Sequence, residues 1–172
     1  MKSKKIKGLI PCFTVLFLGL LMGFGLEDEN YNEYKPIFMQ RVEMEKNIVV
    51  DEPRLISNPG KIYLKDNYIL INEKYKGIHV VDNSYPEHPS NIAFIRVDGC
   101  IDMAVKDNVL YADNAVDLIA IKYNPAFAEI EVTKRIKNVF PELIAPDGRS
   151  LSWKERQAIP ENSVLVRWEK RY

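Results

Sequence analysis

Residues 60–83 read GKIYLKDNYILINEKYKGIHVVDN. Two apolar runs, Tyr68-Ile69-Leu70-Ile71 and Ile78-His79-Val80-Val81, flank the polar hexad Asn72-Glu73-Lys74-Tyr75-Lys76-Gly77. Runs of four residues, rich in β-branched and aromatic side chains, are too short for helices and suit strands. The glycine just before the second run predicts a hairpin with a longer loop. A strand with one wet face alternates apolar and polar residues. These runs are apolar at every position but His79, which predicts cover on both faces.

The hairpin recurs. Lys65-Asp66-Asn67 precedes the first pair of runs. Lys106-Asp107-Asn108, 41 residues later, precedes Val109-Leu110-Tyr111-Ala112 and Leu118-Ile119-Ala120-Ile121. The second loop, Asp113 to Asp117, is one residue shorter. After each pair comes a Pro-bearing turn, Asn83 to Pro89 and Tyr123-Asn124-Pro125. A further β-prone piece follows each turn, Ile92 to Val97 and Ile130 to Ile136. A period near forty with several strands per unit marks propeller blades. A unit of this kind stacks on neighbours to bury its two faces.

The chain has 172 residues, 47% hydrophobic and 28% charged, which fits one globular domain with or without a leader. Four of its 24 basic residues, and none of its 24 acidic ones, lie before position 27. The remainder therefore has 20 basic against 24 acidic residues, a net of −4. With no basic patch or basic run interleaved with aromatics, nucleic acid is not an expected partner. Two cysteines, Cys12 and Cys100, make neither a disulfide framework nor a metal site.

The chain divides into residues 1–26, 27–54, 55–140 and 141–172. In the first, Lys2 to Lys7 forms a positive start and Gly8 to Leu26 has no charge. Gly23-Phe24-Gly25 sets small residues where a signal peptidase reads. A signal peptide or an uncleaved anchor is expected, with membrane contact through residues 8–26 in the second case. Either sends the body out of the cytoplasm. Cys12 precedes most of the apolar run, so it is not placed for lipidation. Residues 27–54 read as a tether, with a short helix over Ile37 to Val49 between Pro36 and Pro53. In residues 141–172, Ala145-Pro146-Asp147-Gly148 is a turn, Trp153 to Ala158 is a helical turn or loop, and Ser163 to Trp168 is a last strand seeking an edge.

From Pro53 through Ile121 the chain resembles the LVIVD-repeat family of secreted and lipid-anchored bacterial proteins, typical of Bacteroidetes. The pieces that carry the likeness are NPGKIYLKDNYILINEKYKGIHVVDN, NIAFIRVDG and DMAVKDNVLYADNAVDLIAI. The tether piece YKPIFMQRVEMEKNIVVDEPR is similar too, extending the likeness over about residues 34–172. The resemblance implies β-propeller-like blades outside the cytoplasm and no established activity. Family members usually carry more repeats, so a shortened member is implied.

No residue cluster spells out a reaction. His79 lies in an apolar strand, where a hydrogen-bonded core histidine is expected. As a base it needs an orienting carboxylate, and Asp82 is only a sequence neighbour. His88 lies in a Pro-bracketed turn and is expected in solvent. Neither has a partner at metal-ligand spacing. Asp113, Asn114 and Asp117 form an acidic hairpin tip. Turn geometry explains them better than a calcium site, since their spacing fits no EF-hand loop. Cys100 reads as a buried structural thiol. Tyr63, Tyr68, Tyr75, Tyr111, Trp153 and Trp168 either line a glycan- or peptide-binding face or pack as strand formers, and packing is the commoner fate.

The expected fold is mainly β, with two propeller-like blades forming an incomplete ring and an added C-terminal strand. A leader helix and a short helical tether precede them. The expected function is a non-enzymatic envelope or secreted module. Its partner is a protein, a glycan, or another copy met through the open blade faces. No catalytic residue, cofactor or metal is assigned. The alternatives are an enzyme or enzyme subunit using Asp113, Asp117 and His88, and a truncated structural remnant without a specific ligand.

Overall fold

A computed structural model of the chain describes residues 32–172. The expected leader, and residues 27–31 of the tether, lie outside the described residues. The described part is mainly β, with 48% strand and 8% helix. None of its helices is long and apolar enough to cross a membrane.

Eight strands form two antiparallel meanders. The first runs through β3 (Pro59–Lys65), β4 (Tyr68–Glu73), β5 (Gly77–Asp82) and β6 (Ser90–Arg96). A short strand, β2 (Val49–Asp51), joins outside β6 to give the order β2-β6-β5-β4-β3. The second meander runs β7 (Met103–Lys106), β8 (Val109–Asn114), β9 (Asp117–Tyr123) and β10 (Ile130–Ile136). A separate two-stranded sheet pairs β1 (Tyr34–Gln40) with β11 (Ser163–Lys170). The seven pieces read as strands in the sequence, Ser163 to Trp168 included, are all strands here. The strands before each Lys-Asp-Asn, β3 and β7, carry weaker patterns and complete each meander.

The repeated Lys-Asp-Asn has a conformational cause. Lys65 pairs with Tyr68, and Lys106 with Val109, leaving two-residue turns. The first turn residue sits at positive φ in both, Asp66 at 53° and Asp107 at 56°. Aspartate enters that region at less cost than most side chains. The second hairpin loops are Lys74–Lys76 and Ala115-Val116, three residues against two. Gly77, which closes the first, has φ 144°, and a Cβ there would lie 2.1 Å from the Ile95 carbonyl oxygen.

Each of these hairpin tips is tied to the chain that leaves its own sheet. Tyr75 N–H donates to Cys100 O at 2.7 Å, and Gly99 N–H donates to Tyr75 O at 2.9 Å. In the second unit Val116 O accepts from Val139 N–H and Phe140 N–H at 2.8 and 2.9 Å.

The main core lies between the two meanders. Leu70, Ile78, Val80 and Ile95 of the first meet Leu110, Ile119, Ile121 and Val105 of the second, with Phe127 at one margin. Each such side chain taken fully out of water contributes roughly 1.5–3 kcal/mol. Tyr63 and Tyr68 pack against this core, and Tyr63 donates to Val105 O at 2.8 Å. Strand β5 is buried from Gly77 through Val81, as its unbroken apolar pattern predicts. Strand β4 is covered less completely, with Ile69 and Ile71 half-buried.

The stretch read as a helical tether is mostly something else. Ile37 to Val49 divides into the end of β1, the six-residue helix α1 (Arg41–Lys46) and the start of β2. The Pro36 and Pro53 boundaries mislead because β1 is an edge strand, where a proline costs no ladder bond. The last strand does find an edge, but that edge is β1 rather than a meander. The register shifts at Ile37/Phe38, so Val166 is an extra residue in β11. Such a bulge changes the side-chain parity. Val164 and Val166 therefore pack with Met44, Ala115 and Val116, whereas Leu165 and Trp168, three apart, pack with Leu143, Ala145 and Leu151. Helix α2 (Trp153–Gln157) is a single turn closed by a capping box between Ser152 and Glu155.

Candidate functional site

An apolar opening lies on the face of the second meander turned away from the main core. Alternation along β8 and β9 sends Leu110, Ala112, Ile119 and Ile121 into the core. Tyr111, Asp113 and Leu118 point to the other side. There they line a cleft of about 490 Å³ with Ala104, Phe140 and Ile144. The walls are mostly apolar, and Tyr111, Phe140 and Ile144 remain exposed. That volume falls within the usual range for ligand sites.

Asp113 forms the polar end of this cleft without being free to act. Its Oδ1 accepts Ile101 N–H at 3.0 Å and Asp102 N–H at 2.8 Å, and Oδ2 accepts Ile101 N–H at 3.1 Å. Burial raises its pKa, and these amide bonds oppose the rise only in part. The carboxyl thus fixes the chain that enters β7. Cys100 is fully buried beside it. Burial first, and the Asp113 charge second, push its thiol well above the usual range, the opposite of what a nucleophile needs.

Asp117 is likewise structural. Its carboxylate is wholly buried and accepts from Arg41 Nη1 at 3.0 and 2.8 Å, Arg135 Nη1 at 2.8 Å and Asn138 N–H at 3.0 Å. Burial would raise its pKa, but the Asn138 amide and the two guanidiniums outweigh that and hold it low. This node pins α1 to the second meander. His88 is exposed in its turn. Asp113 and Asp117 sit inside the protein and His88 outside, so the three do not assemble into a reaction centre. The acidic tip is a pair of structural anchors, and its turn is made by Ala115 at φ 58°.

The partner of His79 is Glu73, not Asp82. His79 Nε2 lies 3.2 Å from Glu73 Oε2, and both side chains are buried. Ser57 Oγ donates to Glu73 Oε1 at 2.5 Å, with Ser57 N–H and Asn58 N–H at 3.1 and 2.9 Å. Burial works against ionisation of Glu73, but these donors overcome it and lower its pKa to about 2. His79 is held below its ordinary value by burial, opposed by Glu73. Serine, carboxylate and imidazole are all present, but in the wrong order for catalysis. The serine donates to the carboxylate rather than to the histidine, so no imidazole base faces its hydroxyl. The group instead straps residues 54–58 across the first meander, where Arg54 lies 3.3 Å over the Phe94 ring. The pairing joins positions six apart across the β4–β5 hairpin, which the hairpin register could have revealed.

No family model matches the chain, and no curated protein or solved structure matches it either.

The aromatic residues part company in the fold. Tyr63 and Tyr68 belong to the main core, and Trp153 stands in solvent. Tyr111 lines the apolar cleft. Tyr75 also reaches that cleft, and with Trp168 it borders a second, more polar opening that includes Lys74, Lys76 and Arg167. Among the described residues, no three His, Cys, Asp or Glu side chains come together as a metal site.

Proposed function

We propose that this chain is a non-enzymatic interaction protein of the LVIVD-repeat kind, carried beyond the cytoplasm by its first 26 residues. Its two meanders are propeller-type blades that offer an outer face to a protein partner. The observation that carries this reading is the apolar cleft beside Tyr111, Leu118, Phe140 and Ile144. Apolar walls of that kind take a hydrophobic side chain from a protein more readily than a sugar, whose hydroxyls need polar partners. The in-order meanders and the 41-residue repeat support the blade reading. The buried states of Asp113, Asp117 and His79 supply no accessible base or nucleophile.

A photo-crosslinking residue at Leu118, in the full chain and in its native host, tests this. Crosslinks from Leu118 to a reproducible partner, absent from a control at exposed His88, are expected. Equal, unsaturable labelling from both positions would refute it.

A further inference from the structure

Each meander has two faces, and the repeat makes the faces comparable. At the 41-residue offset, Ile62 and Leu64 of β3 correspond to Met103 and Val105 of β7. Met103 and Val105 are 7% and 8% exposed, because the first meander covers them. Ile62 and Leu64 are 63% and 71% exposed. The opposite faces show the same mismatch. Leu70 is fully buried under the second meander, whereas its counterpart Tyr111 is 36% exposed on the cleft. The inner face of the first meander is thus the repeat counterpart of the outer face of the second. The inner face of the second is, in turn, the counterpart of the outer face of the first.

An internal interface already joins these two kinds of face within one chain. The two open faces are therefore one more example of each half of that interface, at opposite ends of the stack. We infer that they meet between copies: the β3–β4 outer face of one chain docks on the Tyr111–Leu118 face of the next. The occupant of the cleft is a second copy of this chain. The inference rests on the blade reading and extends it by naming the partner.

The contact is head-to-tail, so it is not self-complementary. Heterologous contacts of this kind either close into a ring or run on as a filament. Blades are wedge-shaped in their stacking, and closed propellers hold about four to eight of them. Two blades per chain then call for a ring of roughly two to four copies.

Sedimentation velocity on the full chain tests this, with Leu64→Asp altering one face and Tyr111→Asp the other. The unaltered chain is expected as a closed small oligomer, and each variant as a monomer. An equimolar mixture of the two variants is expected to form a dimer and stop there, since it retains one intact face of each kind. Near-ultraviolet circular dichroism confirms that each variant is folded. Ile62→Lys and Ala104→Lys, on the same two faces, replace any variant that is not.

A monomeric unaltered chain overturns the inference, as does a folded variant pair that stays monomeric on mixing. Loss of assembly from one face only also overturns it, because that result marks a symmetric contact. A monomer whose Leu118 still crosslinks to another protein refutes the second copy but leaves the interaction module standing. A monomer with no such crosslink refutes both.

Discussion

Replacing Asp117 by alanine tests the buried node that joins the N-terminal segment to the second meander. The carboxylate accepts three bonds from guanidiniums and one from the Asn138 amide. Removing one partner of a buried ion pair typically costs about 3–5 kcal/mol, because the opposite charge is left stranded. Here the stranded groups keep some company. Arg135 still bonds Asn114 Oδ1 at 2.8 Å, and Arg41 still bonds Asn138 Oδ1 at 3.0 Å. The expected loss for Asp117→Ala is therefore near the low end, about 3 kcal/mol. Arg41→Ala leaves the carboxylate with Arg135 and Asn138, so it removes only charge-assisted bonding worth about 1.5 kcal/mol. Urea unfolding followed by tryptophan fluorescence gives both values. Trp168 is a suitable reporter, being buried with its Nε1–H on Leu143 O at 3.0 Å. An Asp117→Ala loss below about 1 kcal/mol, or one no larger than that of Arg41→Ala, would refute the assignment of this node as a shared anchor.

Three further outcomes are expected. Glu73 has a folded pKa of about 2 against an ordinary 4.5, so its contribution is complete above pH 4.5 and fades as pH falls toward 2. Denaturation midpoints between pH 5 and 2 should show this slope, and Glu73→Gln should flatten it; an unchanged slope in the variant would place the acid sensitivity elsewhere. Asp113→Asn should change stability by less than about 1 kcal/mol at neutral pH, since Oδ1 alone reaches both amides and the buried charge disappears. A thermal melt showing a larger loss would mean that the charge itself is needed. Cys100 should resist iodoacetamide in the native chain and react on unfolding in urea, read by mass spectrometry of its peptide. Rapid native alkylation would contradict its burial.

The seven strands legible in the sequence share one property: each has enough β-branched or aromatic residues to identify itself without context. Strand β7, Met-Ala-Val-Lys, does not, and it is a strand because β8 pairs with it. Strand β1 was hidden behind Met39 and its helix-favouring neighbours, and only β11, more than a hundred residues away, makes it extended. Local propensity has no access to such a partner. The fate of the polar residues was legible only in part. Apolar surroundings point to a buried His79, but the carboxylate that serves it comes from across a hairpin. The acidic tip reads as turn chemistry because Asx residues favour hairpin loops; two arginines from distant segments and the Asn138 backbone N–H draw Asp117 inside. The cleft depends on Phe140, at the very end of the stretch read as repeats, and on Ile144, which read as tail.

The ties at the hairpin tips set where one module ends. The tip at Tyr75 is held by Gly99 and Cys100, residues that already lead into the following meander. A piece cut at the end of β6 would keep all its strands and yet lose the clasp on its own tip. The unit that can be duplicated, deleted or transplanted whole is thus out of phase with the sheet the eye picks out, and must carry the opening residues of its successor.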